Sequence, residues 1–231
     1  MRPSIAVLLL LALCASVPAH AKRHHPRNEP GNADAASQGN NVVGQFDYLA
    51  LSLSWAPSYC ASHPQDQNEC GTGKRYGFVL HGLWPQYENG GWPQNCSSDK
   101  LSPASVQQYG ALYPSPNLMS HEWEKHGTCY GQSQDAYFKA SGQLKNGVQI
   151  PATYQQPAQP VRTTSAALAA DFLKTNPSLK PGSVLAVCNR GFLTEIHVCY
   201  GKDLQSRTCG AKETAYANKG CSGDFLVRNI R

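Results

Sequence analysis

This chain of 231 residues is short of long apolar runs. The one near its start, Ile5 to Val17, is too short for a bilayer, and no later stretch is long enough to cross one. No membrane partner is therefore expected. Cysteines are present, yet no two of them form a C-x-x-C pair, which argues against a zinc cluster. Internal repeats and a second linker are missing, so one domain is expected. Strand and helix patterns do not alternate in a βαβ rhythm either. The fold class that remains is α+β, with a mainly antiparallel sheet flanked by helices and stapled by disulfides.

What is present at the start reads as a secretory signal over residues 1–21. Arg2 gives the positive start, Ile5 to Val17 the apolar stretch, and Ala19-His20-Ala21 a small-residue cleavage site. Cys14 follows the bulky Leu13, which speaks against lipidation. Removing this segment takes one of nine cysteines and leaves Cys60, Cys70, Cys96, Cys129, Cys188, Cys199, Cys209 and Cys221. An even set in an exported chain reads as a disulfide framework, although spacing alone does not give the pairing. The expected location is secreted, either extracellular or periplasmic.

Residues 22–41 are polar and rich in Asn, Pro and Gly, and read as a disordered leader before a domain over 42–231. Four of the 20 basic and two of the 15 acidic residues precede Asn41, so the body carries 16 against 13, or +3. That suits an anionic partner such as RNA without requiring one.

Within the domain, Phe46 to Trp55 alternates as a half-buried strand. Arg75 to Leu80 reads as a second strand that delivers His81 at its end. Helices are expected over Ser102 to Leu112, Gln134 to Lys145 and Thr164 to Lys174. Val184 to Val187, Phe192 to Tyr200 and Phe225 to Ile230 read as strands. A hairpin involving Phe192 to Tyr200 would close through Lys202 to Ser206.

The densest titratable cluster is HEWEKHGTC, His121 to Cys129, whose start approaches the zinc-protease pattern H-E-x-x-H. A helix turns about 100° per residue. With His121 at zero, Lys125 falls at about 40°, Glu122 at about 100° and His126 at about 140°. Four ionisable side chains then share one face, and Trp123 is left for the core. The zinc pattern fails, because the place of its second histidine is held by Lys125. A solvated face is opposed by the density of histidine, by Trp123 and by Cys129. Taken alone, this stretch leaves the choice open.

A second stretch, FVLHGLWP, leaves the expected strand at His81. Together, FVLHGLWP and HEWEKHGTC resemble the two active-site signatures of the ribonuclease T2 family of secreted endoribonucleases. The resemblance extends to SWAPSYC at Ser54 to Cys60, NCS at Asn95 to Ser97 and LTEIHVCY at Leu193 to Tyr200. It implies a metal-independent endoribonuclease, active on single-stranded RNA, with no cofactor. The ribose 2′-OH would attack its own phosphorus, giving a 2′,3′-cyclic phosphate and then a 3′-phosphate. DNA, which lacks that hydroxyl, would not be cut.

By this resemblance His126 is the general base and His81 the general acid, roles that could be exchanged. Two histidines suit both tasks because their pKa lies near the working pH. Glu122 and Lys125 match the pair that stabilises the pentacoordinate phosphorus, and His121 matches a phosphate-binding histidine. Trp84 offers a stacking platform for a base, with core packing beside Pro85 as the equal alternative. Fungal relatives hold the base with an aromatic and an acid further along. Here those places fall to Trp92 and Gln86, and the missing acid predicts low base specificity. His197 is read as structural and Glu195 as a packing position. The resemblance also implies the pairs Cys60–Cys70, Cys96–Cys129, Cys188–Cys221 and Cys199–Cys209, and a monomer is expected.

Overall fold

The computed structural model describes residues 41–230. The expected signal and all of the leader except Asn41 lie outside the described residues. In chain order the elements are β1 (Tyr48–Trp55), α1 (Ala56–Ser62), α2 (Gln67–Cys70), β2 (Phe78–Gln86), α3 (Pro103–Tyr109), α4 (Pro116–Lys125), α5 (Gln134–Gly147) and α6 (Ala152–Gln155). They continue with β3 (Val161–Thr163), α7 (Ser165–Thr175), β4 (Val184–Asn189), β5 (Phe192–Tyr200), α8 (Ala211–Gly220) and β6 (Phe225–Val227). The sheet runs β2-β1-β5-β6-β3, with β4 also paired to β5. All pairings are antiparallel except a short parallel contact of β5 with β6, Phe192 opposite Leu226. The α+β expectation holds.

Strand β1 lies inside the sheet between β2 and β5. Its Leu49, Leu51 and Leu53 point into an apolar core with Leu80, Leu83, Ile196, Val198, Phe138, Phe172 and Trp123. Each fully buried side chain of this size is worth about 1.5–3 kcal/mol. The opposite face of β1 is covered too: Ser52 is 0% exposed. The half-buried reading of this strand is thus corrected. Ser52 and Ser54 have the alternation of a wet face, but both donate hydrogen bonds to Glu195, at 3.0 and 3.4 Å.

Strand β2 corrects the reading of Arg75 to Leu80. It begins at Phe78 and continues through His81 to Gln86. Gly82 and Pro85 look like strand breakers, but both are accommodated. Leu53 pairs with Leu80 and Ser52 with Gly82, so His81 is the extra residue of a β-bulge. Pro85 sits on an edge strand, where a missing N–H is tolerated. The bulge lets Leu80 and Leu83, three apart, both face the core.

The expected helices form within a residue or two of their predicted ends, except that Gly110–Leu112 tightens into a 3₁₀ turn. Strand β6 stops at Val227, short of Ile230. The hairpin reading of Phe192 to Tyr200 is also corrected. Strand β5 runs unbroken and its hairpin partner is β4, joined through Arg190 and Gly191 at φ 51° and 78°. Two positive-φ residues match the twist of a two-residue turn. Lys202 to Ser206 forms only a tight loop with a bridge from Tyr200 to Ser206.

All four disulfides pair as the resemblance implies. Among the described residues no helix is long and apolar enough to cross a membrane.

Candidate active site

Helix α4 starts five residues before the expected segment. Ser115 caps it by accepting from the Leu118 N–H, and Pro116 occupies the first turn. It ends at Lys125, and His126 is its C-cap, with its N–H on the Glu122 carbonyl. Glu122 and His126 fall on the buried side, at 1% and 4% exposure, whereas Lys125 is half-buried and His121 exposed. Gly127 follows because a Cβ there would meet the Trp123 ring at 2.4 Å. The disulfide Cys96–Cys129 fixes the end of this segment to the loop after β2.

The bulge in β2 aims His81 at this helix. Its Nε2 stands 3.5 Å from Glu122 Oε1, and its Nδ1 lies 2.8 Å from Glu195 Oε1 on β5. Trp84, two residues beyond Gly82, donates its indole N–H to Glu122 Oε2 at 2.7 Å. The same indole stacks on His126 with centroids 5.2 Å apart and meets His81 edge-on at 5.0 Å. One tryptophan therefore separates the two histidines and ties both to the buried carboxyl. Gly82 is the gap that admits Glu122: a Cβ would lie 1.8 Å from Oε2.

The two histidines are driven in opposite directions. Burial works against a charge on His81, but Glu195 and Glu122 outweigh it and push its pKa up to about 9. His126 has no such partner. Burial, with Lys125, His81 and His121 nearby, holds it well below the usual histidine value. Burial also pushes Glu122 up to about 7, against the pull of His81 and the Trp84 N–H. At neutral pH one imidazole is a proton donor and the other a proton acceptor, which is what concerted acid–base chemistry requires.

Sequence reasoning missed Glu195 as part of the site. It is no mere packing position, since it pairs with His81 on one oxygen and with His197 Nε2 on the other, at 3.1 Å. His197 Nδ1 in turn lies 2.8 Å from Glu213 on α8. The available signal was the i, i+2 spacing of Glu195 and His197 against Ile196 and Val198, which puts both on the face away from the core. Of the residues expected to hold a base, Gln86 is buried at 6% exposure, Trp92 is half-buried, and Trp84 has one face against His126. Among the described residues, the one cluster of possible metal-ligand atoms is Cys199, Cys209 and Glu213. Both sulfurs belong to one disulfide, so this set does not fit a metal.

Residues 46–209 match the model of the ribonuclease T2 family. The chain is 34% identical over 201 residues to a ribonuclease of Aeromonas hydrophila, covering 85% of this chain and 92% of that one. It is 29% identical over 236 residues to ribonuclease DdI of Dictyostelium discoideum, covering 89% and 94%. Among solved structures it shares its fold with an RNase-related protein from Calystegia sepium, at TM-score 0.64 and 20% identity, covering 80% and 97%. RNase NT, solved with 5′-AMP, is similar at TM-score 0.63 and 24% identity, covering 80% and all of that chain. With these matches spanning the bulge at His81, helix α4 and strand β5, the chain belongs to the ribonuclease T2 family and is an endoribonuclease.

Proposed function

We propose that this enzyme cleaves single-stranded RNA without a metal, by transesterification through His126 and His81. The observation that carries this reading is the opposed charge preference of the two histidines on either side of Trp84. His126, kept neutral, takes the proton of the ribose 2′-OH. The 2′-oxygen then bonds to phosphorus as the bond to the 5′-oxygen breaks, and His81 passes its Nε2 proton to that leaving oxygen. The products are a 2′,3′-cyclic phosphate and a 5′-OH. Hydrolysis runs the roles in reverse: His81 accepts a proton from water, the water oxygen bonds to phosphorus as the bond to the 2′-oxygen breaks, and His126 returns its proton to that oxygen. The 3′-phosphate results.

Negative charge grows on the nonbridging oxygens during both steps. Lys125, half-buried at the end of α4, supplies positive charge there, and His121 one turn earlier holds an adjacent phosphate. Glu122 remains protonated in much of the population up to about pH 7, so it offers a hydrogen-bond donor to the same oxygens. Base specificity is low, because Gln86 is buried and neither it nor the half-buried Trp92 supplies an acid for an amino group. DNA, with no 2′-OH, is not a substrate. Four disulfides support export into an oxidising compartment, and the chain acts as a monomer.

The test uses a short RNA carrying one 2′-deoxy linkage, in EDTA, with products weighed by mass spectrometry. Cyclic-phosphate ends at every linkage but the deoxy one, together with loss of cleavage in His81→Ala and His126→Ala, are expected. Cleavage that occurs only after zinc or magnesium is restored would overturn the reading.

A further inference from the structure

The hydrogen bonds of His81 do not stop at Glu195. From the site inward they run His81 Nδ1 to Glu195 Oε1 at 2.8 Å, Glu195 Oε2 to His197 Nε2 at 3.1 Å, and His197 Nδ1 to Glu213 Oε1 at 2.8 Å. Tyr48 closes the row by donating its hydroxyl to Glu213 Oε2. Imidazoles and carboxylates alternate along it. Its members come from β2, β5, α8 and β1, so no single element makes the row, and only His81 faces the reaction.

The row is well packed. Ser52 and Ser54 of β1 donate to Glu195, and the Trp84 ring lies edge-on to His197 at 5.2 Å. Leu185 of β4 stands opposite His197 in the sheet. The charged groups facing His81 are Glu195 and His197 from β5, Glu122 and His126 from α4 and its cap, and Glu69 from α2. Those facing His197 are Glu195 and Glu213, with His81 beyond Glu195.

We propose that Glu195, His197 and Glu213 are positioning residues: they form a buried ladder that fixes the tautomer and sets the acidity of His81. The proposal rests on the reading of His81 as the acid. Glu195 accepts the hydrogen bond of the Nδ1–H, which leaves the Nε2 proton directed toward the leaving oxygen. Alone, a single buried carboxylate would hold the imidazolium so firmly that it would donate poorly. His197 opposes this. It binds the second oxygen of Glu195 and, being cationic, repels His81 across it. Burial disfavours the charge on His197, but Glu195 and Glu213 together push its pKa up to about 9. Glu213 thus keeps the counterweight charged. Glu195, held well below the usual carboxylate range by the two imidazoles despite its burial, stays ionised between them.

Two neighbouring substitutions should therefore move His81 in opposite directions. Glu195→Gln removes its anion, and His197→Gln removes its competitor while keeping a donor to Glu195. The test is a histidine NMR titration of the full enzyme alongside the pH profile of kcat/KM on a dinucleotide. Glu195→Gln is expected to move the His81 midpoint and the alkaline limb down by about one pH unit or more. His197→Gln is expected to move both up, with a lower kcat at the plateau and little change in KM, and Glu213→Gln to follow it. A merely structural role would lower stability without opposed shifts. Shifts of the same sign, or none, would overturn the ladder. Should Glu195→Gln fail to fold, the upward shift in His197→Gln decides alone. The two readings fail separately: full activity in His81→Ala sinks the acid assignment, whereas inactive His81→Ala with unmoved titrations sinks only the ladder.

Discussion

Gly82→Ala puts one methyl group where the structure has no room for it. The added Cβ would lie 1.8 Å from Glu122 Oε2, 2.7 Å from its Cδ and 2.6 Å from Trp84 Nε1. The carboxyl has to retreat by more than 1 Å, yet Glu122 is only 1% exposed and sits between Trp84 and His81. Retreat breaks the 2.7 Å bond from the indole. A bond to a group of this kind is worth about 1.5–3 kcal/mol, and overpacking costs about 1–3 kcal/mol more. The expected loss is about 3–5 kcal/mol, a large part of a domain's usual stability. Activity should fall about 100-fold, the effect of a misplacement near 1 Å. Denaturant unfolding and initial rates on RNA measure the two losses. Glu122→Ala removes the clash with the carboxyl and leaves only the 2.6 Å approach to Trp84 Nε1, so in that background Gly82→Ala should cost about 1–3 kcal/mol, less than in the parent, while activity stays low. A Gly82→Ala enzyme with native stability and rate, or equal costs in both backgrounds, would refute the packing argument.

Glu122→Gln tests the raised carboxyl pKa through stability. A carboxyl held at about 7 in the folded chain binds its proton more tightly there than in the unfolded chain, so folding weakens as pH rises from about 4.5 to about 7. The variant lacks this slope. Its unfolding free energy relative to the parent should improve by about 3 kcal/mol between pH 4.5 and pH 8, read from urea midpoints. Cys96→Ser with Cys129→Ser opens a loop of 33 residues, and the chain-entropy account assigns about 4 kcal/mol to its closure. Since Cys129 bonds through its N–H to the His126 carbonyl, kcat should drop with stability. Unchanged kcat at a temperature where the variant is fully folded would show that the bridge does not hold the base in place.

The composition of HEWEKHGTC and FVLHGLWP carried the histidines, the glutamate and the lysine, because residue type is a local property. Cysteine count was local in the same way, and the disulfide pairs followed once the family resemblance was in hand. The limits were equally physical. No periodicity rule foresees a bulge, since it is made by the register of β2 on β1, and with it went the true course of β2 and the aim of His81. Ser52 and Ser54 read as a wet face because nothing nearby in sequence says that Glu195, more than 140 positions later, covers them. The opposed charge preferences of His81 and His126 likewise depend on which carboxylates reach each ring. Sequence alone thus determined which chemical groups this enzyme owns. Only the tertiary structure decided which imidazole is charged, because desolvation and ion pairing act through space and are summed over elements that the chain keeps far apart.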